Sequence, residues 1–150
     1  MKHDEMIGKA QALAQLPDRG SAERAVDAVL RTLGERLPAG LADHMAAQLP
    51  PSLGVCVHRA AESAALDGRD PSVGERFDLT AFAGRVAGRA GTTEDAALQE
   101  TAAVFEVLDA ALAPELMDKM AAVLPADIGG LPVRPVRLTD PGPASPRERW

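Results

Sequence analysis

Few residues in this chain have the type and spacing to do chemistry. Cys56-Val57-His58 is the nearest approach to a metal or nucleophile site, because thiolate and imidazole are both metal ligands. A zinc site needs three or four ligands, and the chain offers one cysteine and three histidines (His3, His44, His58). The spacing makes no recognised set, so no metal site is expected. Asp43-His44 has the composition of a tuned acid–base pair. His44 is matched by Lys119 in a repeat described below, and a solvated polar position explains both.

The acidic clusters are equally neutral. Asp4-Glu5 and Glu94-Asp95 fall where first helical turns are expected, and the helix dipole favours negative charge there without catalysis. No phosphate-binding glycine loop or nucleophile elbow is present in the sequence. The cationic candidates are more specific. Lys9 and Arg85 hold matched positions, each behind a glycine (Gly8, Gly84), and such a pair could engage an acidic partner. Near the C-terminus Arg134, Arg137 and Trp150 combine guanidinium and aromatic groups, a mixture favoured in binding hot spots. These five residues are the candidate partner-binding set. No catalytic, cofactor-binding or metal-binding residue is assigned.

The elements that must position them follow from a repeat. Ala25 to Leu30, Leu37-Pro38, Leu41 and Ala46 to Pro50 return 75 positions later. There they read Glu100 to Phe105, Leu112-Ala113, Leu116 and Ala121 to Pro125. Met6 to Ala10 return 76 positions later as Phe82 to Val86. A repeated multi-helix unit implies that two units bury one core together. The first unit carries helix-period stripes at Met6, Ile7, Ala10, Leu13, then Ala22, Val26, Val29, Leu33, then Leu41, Met45, Leu49. Pro17 to Gly20 breaks the first from the second, Ser21 is read as the N-cap of the second, and Pro50-Pro51 stops the third. In the second unit Asp78 caps a helix holding Leu79, Phe82 and Val86. Thr92 or Thr93 caps a long helix holding Ala97, Val104, Phe105 and Leu108, and Pro114 opens the last.

The expected fold is therefore all-α. Six main helices form two similar three-helix units, packed pseudo-twofold into one bundle around the two long helices, with a proline-rich tail. Unit one spans 3–50 and unit two 78–125, within one domain over 1–128. The connecting segment 51–77 holds a short apolar run at Val55 to Val57 and room for a short extra helix over 58–66. Residues 129–150, with Pro132, Pro135, Pro141, Pro143 and Pro146, read as an extended, mobile tail.

Bulk properties limit the function. The formal net charge is −6, and the last 25 residues carry four arginines against three acids, so the excess acid lies in the body. That argues against nucleic acid, whose non-specific binding needs lysine and arginine, and against an anionic membrane surface. The single cysteine permits no internal disulfide and suits a reducing cytoplasm. No stretch is long and apolar enough to span a membrane, and the N-terminus does not read as a signal peptide.

Several phrases together resemble a bacterial family known as domain of unknown function 2267. They are Ala22-Glu23-Arg24-Ala25-Val26, Leu33-Gly34-Glu35-Arg36-Leu37-Pro38, Ala46-Ala47-Gln48-Leu49-Pro50 and Gly74-Glu75-Arg76-Phe77-Asp78. Phe82, Arg85-Val86-Ala87 and the opening Lys2-His3-Asp4-Glu5 fit as well. The likeness covers roughly 2–128. It implies a small, soluble, all-α bacterial protein with a duplicated helical unit, and it brings no activity or cofactor. The longer middle segment and the tail depart from it.

The functional expectation is a cytoplasmic, non-catalytic protein–protein interaction or scaffold module, acting on an unknown protein partner or by self-association as a homodimer. The alternative is a small-ligand binder or enzyme with its site in the crevice between the two units, where pockets commonly form.

Overall fold

The computed structural model describes residues 2–66 and 79–123. They form seven α-helices and, among the described residues, no strand: α1 His3–Ala14, α2 Arg19–Arg36, α3 Ala39–Gln48, α4 Pro51–Leu66, α5 Leu79–Ala90, α6 Glu94–Ala111 and α7 Pro114–Val123. The all-α expectation holds. The count of six does not, because the segment after Pro50 is a full helix of 16 residues.

Local chemistry sets the boundaries. Asp18, not Ser21, caps α2: its carboxylate accepts from the Ser21 backbone N–H at 2.7 Å, so Arg19 and Gly20 join the helix. The same bond holds the Asp18 carboxyl below its ordinary range. Thr93 caps α6 by accepting from the Ala96 N–H at 3.2 Å. Left-handed residues end α1 and α5, Gln15 with φ 56° and Gly91 with φ 72°. Only glycine adopts that region without a Cβ penalty. Pro51 and Pro114 occupy first helical positions, where a missing N–H costs nothing.

Packing centres on α2, which contacts α1, α3, α4, α5 and α6. The first helix of the chain also packs on α6, while α5 packs on both α2 and α6, and α3 touches α7. The core is aliphatic, including Met6, Ile7, Val26, Val29, Leu30, Leu33, Met45, Val57 and Leu108. Phe82 and Phe105 add an edge-to-face ring pair with centroids 6.3 Å apart. Helix α4 contributes Leu53, Val57 and Ala61, four residues apart on one face. It approaches α2 so closely that a Cβ at Gly34 would lie 2.6 Å from the Val57 carbonyl oxygen. A Cβ at Gly54 would lie equally near the Ala46 oxygen of α3. No helix among the described residues is long and apolar enough to cross a membrane.

Candidate functional site

A cleft of about 130 Å³ opens where α4 and α5 flank α2. Its lining is Arg31 and Glu35 from α2, Cys56, Arg59, Ala60 and Ser63 from α4, and Arg89 from α5. The α2 pair is separated by one helical turn, and the α4 residues follow a three-and-four spacing, so each helix presents a single face.

Two of the three arginines are held in place. Arg89 donates to Glu35 at 2.6 Å and to the Thr32 hydroxyl at 3.0 Å. Thr32 is fully buried and donates onward to the Ala28 carbonyl at 2.8 Å. Glu35 also accepts from Arg85 at 3.2 Å. Arg31 pairs with Asp27, Nε lying 3.0 Å from Oδ2, and that carboxylate raises the arginine above its ordinary range. Asp27 also accepts from the Cys56 thiol, with Sγ 2.8 Å from Oδ1. Burial first, and then the Asp27 carboxylate, push the Cys56 thiol up to about 11. It is a protonated donor at neutral pH, not a nucleophile. Arg59 is exposed and makes no ion pair among the described residues.

The structure separates the residues of the apparent thiol–imidazole motif. Cys56 turns towards Asp27, Val57 is buried, and His58 faces outward between Asp43 at 3.2 Å and Glu62 at 3.4 Å. Asp43 therefore partners His58, while His44 is exposed beside it. No group of three or more metal-ligating side chains occurs among the described residues. Asp4 is engaged by Arg19 on α2, which holds its carboxyl below the ordinary range.

Lys9 and Arg85 are not equivalent in their surroundings. Arg85 reaches Glu35 at the edge of the cleft. Lys9 is exposed on α1 and does not line the cleft. The sequence position matching Glu35 in the repeat is Ala110, which offers no carboxylate. Arg134, Arg137 and Trp150 lie outside the described residues.

A family model described as an uncharacterized conserved protein (DUF2267) matches residues 3–131. The chain belongs to that family. The match includes every residue that lines the cleft and all seven helices. No curated protein matches the chain.

Proposed function

We propose that this family member is a non-catalytic small-ligand binding module, with the cleft between α2, α4 and α5 as its recognition site. One observation carries the reading: three arginines from three different helices converge on one cleft beside a single carboxylate, in a chain whose formal net charge is −6. Cation convergence against an acidic background selects an anionic ligand. The state of Cys56 supports binding over covalent catalysis, since its thiol is raised and already donates to Asp27. The protein-docking alternative has less support. The exposed large hydrophobic residues are Leu13 on α1 and Val55 on α4, 48% and 45% exposed, among the described residues.

The same proposal includes the two-unit architecture. Helices α1, α2 and α3 have 12, 18 and 10 residues, and α5, α6 and α7 have the same lengths in the same order. The left-handed stops at Gln15 and Gly91 fall at the 76-residue offset of the sequence repeat. The packing of α1 on α6 and of α5 on α2 is the reciprocal pattern that a pseudo-twofold axis generates. On this reading 1–128 is one duplicated domain in a bacterial cytoplasmic protein, and the unpaired Cys56 suits a reducing compartment. The acidic charge supports a partner other than nucleic acid.

Thermal-shift screening of chemically diverse small metabolites tests the binding reading on the full chain and on Arg59→Glu. The expected hits are anions whose stabilisation disappears in the variant while its own Tm is unchanged. Hits indifferent to the substitution, or no hits at all, would overturn it.

A further inference from the structure

The charge and donor geometry of the cleft narrow the ligand further, on the basis of the binding reading above. Three arginines and one glutamate line it, a surplus of two positive charges. In the next layer Asp27 and Arg85, of opposite sign, each contact a lining residue. Both carboxylates already serve cations or donors: Glu35 takes Arg85 and Arg89, and Asp27 takes Arg31 and Cys56. Their negative charge is therefore offset within the protein. A monocarboxylate would leave one cation uncompensated, whereas a dianion matches the surplus.

Guanidinium groups present N–H forks that fit the oxygens of phosphate bidentately. Arg31 uses Nε on Asp27 and Arg89 uses both terminal nitrogens, which fixes their planes before a ligand arrives. Arg59 has its whole fork available among the described residues, and Ser63, one turn further along α4, adds a hydroxyl donor to the same lining. The volume is compatible with a compact group. A single water needs about 10–15 Å³ on a comparable measure, so about 130 Å³ admits a tetrahedral anion with a small substituent.

We propose that the cleft binds the phosphoryl dianion of inorganic phosphate or of a small phosphate monoester, with Arg59 as the principal contact and Arg31, Arg89 and Ser63 completing the donor set. A phosphate monoester carries close to two negative charges at neutral pH. The groups that hold Arg31 and Arg89 remove the need to order those side chains on binding, which lowers its entropic cost.

Titration calorimetry on the full chain at constant ionic strength tests this with four probes: inorganic phosphate, glycerol phosphate, citrate and a phosphoserine peptide. Each is run against wild type, Arg59→Gln and Lys119→Gln, the last an exposed cation on α7 outside the cleft. Phosphate or glycerol phosphate should bind, and Arg59→Gln should weaken that binding by about tenfold or more. Lys119→Gln should leave it unchanged. The tighter of the two probes identifies free phosphate or monoester as the source. Citrate binding that depends on Arg59, without a response to either phosphate, would overturn the phosphoryl assignment while leaving the cleft reading intact. Binding of the phosphopeptide alone would overturn it in favour of a protein partner. No Arg59-dependent binding of any probe would overturn both readings.

Discussion

Glu35 on α2 accepts from Arg89 on α5 at 2.6 Å, a side-chain contact between residues 54 apart in sequence. Glu35 is mostly buried and also takes Arg85, so one carboxylate is shared by two guanidinium groups along α5. Its removal takes a mostly buried negative charge away from both arginines. We expect Glu35→Gln to lower unfolding stability by about 1–3 kcal/mol. Urea denaturation measures that loss. Hydrogen exchange should locate it in α5, and an unchanged α5 protection pattern would refute the link.

A second prediction concerns the α2–α4 contact. A methyl group at Gly34 would meet the Val57 carbonyl oxygen at 2.6 Å and the Ala60 Cβ at 2.8 Å. Backbone cannot move aside cheaply, so Gly34→Ala should destabilise by about 1–3 kcal/mol. Gly8, inside α1, has open space where its Cβ would stand. Gly8→Ala should therefore stabilise by about 0.5–1 kcal/mol. Opposite signs in matched denaturation curves would bear out the geometry, and equal signs would contradict it.

Glu100 supplies a pH signature. It is 6% exposed on α6, and its Oε1 has no hydrogen-bond partner among the described residues. Burial raises its carboxyl above the ordinary value, and Arg24 partly opposes the rise. The folded state thus holds the proton to higher pH than the unfolded chain does, so stability falls as pH rises through that window. Glu100→Gln should match wild type near pH 4 and exceed it at neutral pH. Parallel stability curves across that range would refute the assignment.

The Cys56 thiol offers a kinetic test. With its titration pushed to about 11, little thiolate exists at pH 8. Alkylation of the folded chain by iodoacetamide should run about tenfold to a hundredfold slower than that of the unfolded chain. Asp27→Asn should speed it only in part, because burial is the larger cause of the shift. A folded rate equal to the unfolded one would contradict the Asp27 contact.

The helical stripes were legible because burial on a helix follows its period: Ala22, Val26, Val29 and Leu33 are all buried as spaced. Helix α4 also left a trace in Leu53, Val57 and Ala61, but Pro50-Pro51 read as a stop, Val55 to Val57 as a short apolar run, and only 58–66 as room for a short helix. Pro51 in fact opens the helix, and Gly54 is small because the α3 backbone passes against it. The cap at α2 was misplaced by three residues because Asp18 and Ser21 are both good capping types, and only the direction of the bond distinguishes them. The cleft was not legible. Arg31, Arg59 and Arg89 lie on three helices about thirty residues apart, and each alone has the pattern of a solvated flank. The order of packing around α2 brings them together, and no local spacing encodes that order.

The reciprocal packing of α1 on α6 and α5 on α2 also bears on stoichiometry. If the chain is two related units, as proposed above, the same relation points to a second set of positions matching the α2 and α5 residues of the cleft. The sequence positions matching Arg31, Glu35 and Arg89 are Glu106, Ala110 and Leu13. The charges that α2 and α5 bring to the cleft are absent or reversed at those positions, and α4, which supplies Arg59, lies outside the repeated phrases. On the proposed binding reading the isotherm should saturate at a molar ratio of one.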